Sequence, residues 1–120
     1  MAGARMRRVN EAVREVLSSQ LAQGLKDPRI GFVTVTGVDT SPDLRFARVY
    51  VSILGSEEER DAALKGLTSS RGFLQAQIAH ELRMKRTPAL TFRYDETVER
   101  ADRMTRLIDE VAPRDEDDRS

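Results

Sequence analysis

One periodicity constrains this chain more than any other. Small or apolar residues recur at Ala63, Leu67, Ser70, Leu74, Ile78 and Leu82, in steps of three or four. That is the spacing of a single face of an α-helix. The stripe passes through Ser70-Arg71-Gly72 without losing phase. Gly72 weakens a helix by about 1 kcal/mol relative to alanine, so a bend belongs in this triplet while the face stays in register. The expectation is a helix, a kink and a second helix. A plain turn with an N-cap among Thr68, Ser69 and Ser70 is the alternative. With the kink, Ser70 lies on the buried seam, where a small side chain permits close approach. Arg83-Met84-Lys85-Arg86 then places cations at the negative end of the second helix, and Pro88 stops it.

The flanking segments supply a sheet and another helix. Met6, Val9, Val13, Val16 or Leu17, Leu21 and Leu25 form an amphipathic stripe, predicting a helix from about Arg5 to Leu25. Gly24 and Lys26-Asp27-Pro28 end it. Ile30 to Asp39 reads as a strand. Leu44 to Leu54 reads as a second, with Ala47, Val49, Val51 and Ile53 on one face and Phe46, Arg48, Tyr50 and Ser52 on the other. Thr40-Ser41-Pro42-Asp43 is the turn that makes them an antiparallel hairpin. Ser56 is placed to cap the next helix, with Glu57, Glu58 and Glu59 in its first turn. Ala89 to Asp95 is a third strand, and Thr97 to Val111 reads as a short C-terminal helix. PRDEDDRS, from Pro113, is too polar to pack and reads as a disordered acidic tail. One domain over residues 1–111, with a tail over 112–120, is expected. A three-stranded sheet with helices on one face is an α+β architecture.

Several kinds of chemistry lack their residues. The chain has no cysteine and a single histidine, His80. That rules out thiol nucleophiles, cysteine zinc sites and histidine clusters. The Glu57-Glu58-Glu59 run lacks the alternating spacing of a calcium loop. There is no phosphate-binding glycine loop. The expectation is a protein that is not an enzyme and has no cofactor, metal or small-molecule substrate. No apolar run approaches the ~20 residues of a membrane span.

Charge placement is more telling than net charge, which is zero. Met1 to Arg14 holds four arginines and one acid, and Arg71 to Arg93 holds five Lys or Arg against Glu81 alone. Such runs are often only solvated faces. As a set they also suit phosphate binding. The candidate nucleic-acid residues are Arg7, Arg8, Arg45, Arg48, Arg71, Arg83, Lys85 and Arg86, with Ser70, Arg71 and Gly72 as the kink motif. Aromatics are few, so base stacking is expected to be the minor term and backbone or shape recognition the larger.

The element order, αββ-α(kink)α-β, resembles the type II KH fold, an RNA-binding arrangement with a Gly-x-x-Gly loop between two helices. Here Ser70-Arg71-Gly72 stands in place of that loop. From Arg5 to Ile108 the chain resembles the ribosome-binding factor A family. The matching pieces are Asp27-Pro28-Arg29-Ile30, and Val38 through Asp43-Leu44 with Ala47, Val49, Val51 and Ser52. Gly72-Phe73-Leu74, Leu82-Arg83-Met84-Lys85 and Pro88-x-Leu90-x-Phe92 complete them. The family's kink is Ala-x-Gly, so Ser70 is a small-for-small change. Basic residues common in the family are absent at Gln75 and His80. The resemblance implies a cytoplasmic, monomeric, non-enzymatic factor, often needed most in the cold. It implies binding to the free 30S subunit and its 16S rRNA, aiding late maturation including processing of the rRNA 5′ end. A KH-like module contacting ribosomal proteins or another assembly factor is the alternative.

Overall fold

The stripe through the triplet is realised as two helices that share one residue. In this computed structural model, which describes residues 2–25 and 27–97, the helices and strands follow the expected order. They are α1 (Ala2–Gln23), β1 (Val33–Thr40), β2 (Phe46–Ile53), α2 (Glu57–Ser69), α3 (Arg71–Leu82) and β3 (Ala89–Tyr94). Helix α1 begins earlier than Arg5 and ends before Leu25. Strand β1 begins later than expected, at Val33, and runs one residue further, to Thr40, while β2 begins later because the connecting turn takes up Ser41 to Arg45. The C-terminal helix and the acidic tail fall on residues 98–120, outside the described residues apart from Thr97.

Ser70 closes α2 and opens α3. Its backbone sits at φ −88°, ψ 2°, a sparsely populated region suited to a sharp change of direction. Its N–H is shared between the Gly66 and Leu67 carbonyls at 3.0 and 3.1 Å, and its carbonyl accepts the Leu74 N–H at 3.0 Å. No loop intervenes, which decides for the kink over the plain turn. The bend is not located at Gly72, however. Gly72 lies inside the first turn of α3, and a Cβ built there would meet nothing within 4 Å. Ser70 is half-buried, beside fully buried Leu67 and Leu74.

Helix α2 starts as expected. The Ser56 hydroxyl accepts the Glu59 N–H at 3.2 Å and the Glu59 carboxylate accepts the Ser56 N–H at 3.0 Å. This reciprocal box satisfies two donors that a helix start leaves open. The backbone bond from Ser56 holds the Glu59 carboxyl below its ordinary value.

Strand β2 is central. It pairs antiparallel with β1 and parallel with β3. A register shift between Val35 and Gly37 leaves a bulge at Thr36, whose hydroxyl donates to the Asp95 carboxylate at 2.6 Å. Val13 and Leu17 of α1, Ala63 and Leu67 of α2, and Leu74 and Ile78 of α3 bury against Val35, Ala47, Val49, Val51, Ile53, Leu90 and Phe92. At about 25 cal/mol per Å² of apolar surface removed from water, this cluster is the main favourable term in folding. All of it lies on one side of the sheet, and among the described residues no helix covers the other side.

Candidate nucleic-acid interface

All eight candidate cations are exposed, but they do not form one patch. Helix α3 has 12 residues, so its ends stand about 18 Å apart at 1.5 Å per residue. Arg71 begins it and Arg83 follows its end. The expected surface is thereby split into two poles, with Arg48 on a third face.

The exit pole gathers residues distant in sequence. The Gln20 amide of α1 donates to the Gln77 side chain of α3 at 3.5 Å. Ala12 and Val16 line a cleft with Glu81 and Leu82. So α1 runs antiparallel to α3, and Arg7 and Arg8 lie toward the end where α3 leaves the body. Asn10 Oδ1 accepts the Thr40 N–H at 2.9 Å, and the Arg45 carbonyl accepts the Ala89 N–H at 2.8 Å. These bonds bring the hairpin turn and the start of β3 to the same end. Arg7, Arg8, Arg45, Arg83, Lys85 and Arg86 therefore converge there. Among the described residues none of the six forms an ion pair.

Arg83 is held in an unusual way. It caps α3 with left-handed backbone, φ 52°, ψ 44°. The Met84 N–H closes the turn on the Ala79 carbonyl at 3.1 Å. Glycine is the ordinary residue at such a cap, and an L-side chain there costs roughly 1–2 kcal/mol. A cation is kept where the fold alone would favour glycine.

The kink pole is built differently. Gly66 faces the segment after α1, where an added Cβ would lie 2.8 Å from Ile30 Cγ1 and 3.3 Å from the Asp27 carboxyl. Asp27 accepts from the Arg29 backbone N–H at 2.9 Å and from its guanidinium at 3.0 Å, and Arg29 reaches on to the Ser69 hydroxyl at 3.1 Å. The Arg29 side-chain bonds, with its backbone N–H next, hold the Asp27 carboxyl well below the usual range, at about 2. Asp27-Pro28-Arg29-Ile30 is thus a clamp on the end of α2. Its partner, Gly66, carries no periodicity or charge that reveals it in the sequence. Arg71 and half-exposed Phe73 project beyond this clamp.

One further helix position serves the fold. Gln75 Oε1 accepts the Leu90 N–H at 3.2 Å, fixing the start of β3, while His80 is exposed. Among the described residues there is no group of three His, Cys, Asp or Glu placed to hold a metal. Nor is any helix there long and apolar enough to cross a membrane.

The sheet order, the two helices meeting at one residue and the cation-rich α3 exit define a KH-like α+β domain of the type II order, without the glycine loop. Comparison with known proteins carries this one step further. The family model described as ribosome-binding factor A matches residues 5–108. Ribosome-binding factor A of Geobacter metallireducens is 46% identical over 104 residues, covering 87% of this chain and 88% of that relative. The crystal structure of ribosome-binding factor A from Thermus thermophilus aligns with a TM-score of 0.65 at 31% identity, covering 74% of this chain and 94% of that one. A homology model of the Thermus thermophilus factor, fitted into a cryo-electron-microscopy map of a 30S complex, aligns with a TM-score of 0.60 at 33% identity. It covers 71% of this chain and 89% of that one. This chain belongs to the ribosome-binding factor A family.

Proposed function

We propose that this protein binds the free 30S subunit through its 16S rRNA and aids late maturation of the subunit, including formation of the 16S 5′ end. The observation that carries this reading is the match in sequence and fold to a relative fitted into a 30S complex. The geometry supports a mechanism in which the exit pole sits on rRNA phosphates. Each phosphate contact by Lys or Arg releases condensed counterions, so affinity falls steeply with salt. The kink pole, with Arg71 and the Gly72 backbone, makes a second contact about 18 Å away along α3. Rigid spacing of the two poles favours structured RNA, whose phosphates are themselves at fixed positions. In this reading the protein is a monomeric, cytoplasmic binding factor that performs no catalysis. It holds rRNA in one arrangement while other enzymes cut.

Charge reversal of Arg83, Lys85 and Arg86 to glutamate tests it by cosedimentation with 30S subunits over a salt series. Binding is expected to weaken and its salt dependence to flatten. A folded triple variant that binds as the wild type does removes the exit pole from the mechanism. A second contact, to protein, is favoured by one observation. Phe32 and Leu54, 82% and 79% exposed, sit side by side where the Phe32 carbonyl accepts the Leu54 N–H. Binding to protein-free rRNA fragments that survives Phe32→Ser and Leu54→Ser, with loss of affinity for whole subunits, assigns that patch to a ribosomal protein.

A further inference from the structure

The side of the sheet away from the helices has its own chemistry. Strand β2 presents Phe46, Arg48 and Tyr50 on it, with their in-between neighbours Ala47 and Val49 buried in the core. In the register of the sheet Asp39 of β1 lies opposite Arg48, while Thr91 and Arg93 of β3 lie beside Arg48 and Tyr50. Phe46, the first residue of β2 and opposite Ala89 at the start of β3, is 62% exposed. The Arg48 guanidinium leans on the Tyr50 hydroxyl at 3.4 Å, which keeps it near the plane of the face. Asp39, Pro42, Phe46, Arg48, Thr91 and Arg93 border an open hollow of about 370 Å³, within the ~300–1,000 Å³ of small-ligand sites.

The turn before β2 fixes this arrangement. The Ser41 hydroxyl donates to Asp43 at 2.7 Å and accepts the Phe46 N–H at 3.0 Å, and Asp43 also accepts the Arg45 N–H at 3.1 Å. Phe46 is therefore presented from a bonded turn.

We propose that this open face is a stacking site for an unpaired RNA base, an inference that rests on the rRNA-binding reading above. The base lies on the Phe46 ring in the hollow, Arg48 and Arg93 meet its flanking phosphates, and Asp39 accepts from an exocyclic amino group. Single-stranded RNA is recognised by stacking on aromatic rings and guanidinium planes, with hydrogen bonds to the base edge. Arg48 and Arg93 make the hollow attractive to a polyanion, while the Asp39 carboxylate at its border suits a base edge and repels phosphate. Continuity argues the same way. Arg45 of the exit pole immediately precedes Phe46, and its carbonyl is bonded to Ala89 at the start of β3. A strand leaving a helix docked at that pole reaches the open face directly. The short supply of aromatics pointed to little stacking, but the sheet places Phe46 and Tyr50 on one side.

The test uses the full chain, which contains no tryptophan, so Phe46→Trp gives a lone tryptophan, excited apart from the two tyrosines, on the face. Short oligouridylate and oligoadenylate are expected to quench it, and a blunt RNA duplex is not. Phe46→Leu keeps the apolar bulk and removes the ring. It is expected to weaken oligonucleotide binding about 5- to 150-fold, the loss for one stacked base, with the salt slope unchanged, and Phe46→Tyr is expected to restore it. Circular dichroism melts confirm folding of each variant. If wild-type protein binds 30S subunits but no oligonucleotide quenches the Phe46→Trp variant, and Phe46→Leu binds subunits normally, the stacking site is wrong while the rRNA reading stands. If Phe46→Leu loses subunit binding and still no oligonucleotide binds, the face contacts protein and the proposal is overturned. If the wild type fails to bind subunits at all, it is the underlying rRNA reading that fails.

Discussion

The two ends of α3 are made from different materials. At its start the backbone turns on Ser70, and the turn is held from outside: Gly66 against Ile30, with Asp27 and Arg29 reaching to Ser69. Removing any one of these contacts affects folding first. At its end the backbone is strained at Arg83, and the side chains beyond it are exposed cations without partners among the described residues. That end spends conformational energy on presenting charge. The contrast teaches that a bend is not by itself a binding device. In this fold the turn at the kink is held by packing, whereas the exit holds a cation in a glycine's conformation.

Four variants break or sharpen that contrast. The largest effect is expected from the triple reversal of Arg83, Lys85 and Arg86 to glutamate: about 100-fold or more weaker 30S binding near physiological salt, with little change in melting temperature. A loss of stability as large as the loss of binding would erase the distinction between the ends. Next, Gly66→Ala drives a Cβ toward Ile30 and is expected to cost about 1–3 kcal/mol in urea unfolding, while the folded fraction still binds subunits. Arg83→Gly removes the left-handed strain and is expected to gain about 1 kcal/mol while losing one phosphate contact. Stability and binding then move in opposite directions, measured by unfolding and by the salt slope. Gly72→Ala has room and ordinary helical backbone, so a gain of up to about 1 kcal/mol is expected. If it instead abolishes the fold, the bend depends on Gly72 after all. If it stabilises the fold and weakens binding, close approach of RNA to that backbone is the reason for glycine.

Acid unfolding probes the clamp alone. The Asp27 carboxyl is held at about 2 by Arg29, below the ordinary carboxylate near 3.9. Its contribution is full above the unfolded-state value and is lost as pH falls from about 4 toward 2. Asp27→Asn is expected to reduce the fall in stability over that window, followed by urea denaturation at a series of pH values. Equal slopes for the two proteins would take the ion pair out of the account.

Much of this was legible in the chain, because local structure is written locally. The three-and-four spacing over Ala63 to Leu82 fixed a continuous helical face. The alternation at Ala47, Val49, Val51 and Ile53 fixed β2, and Ser56 with Glu59 fixed the start of α2. Each of these depends on backbone geometry within a few residues. The bend falls in the expected triplet, but its place at Ser70 rather than at Gly72 depends on the hydrogen bonds that Ser70 shares with Gly66 and Leu67. The choice of eight exposed cations followed from two charge runs and, for Arg45 and Arg48, from the alternation of β2, but not their division between poles. Only the packing of α1 antiparallel to α3 brings Arg7 and Arg8 toward Arg83. Only the sheet register sets Arg48 beside Arg93 and leaves Phe46 uncovered. Those relations join segments far apart in the chain, and they are decided by which apolar faces bury one another. The sequence by itself determined the elements and the supply of charge; tertiary structure decided which charges share a surface, because burial of the common core fixes the relative direction of the elements and periodicity does not.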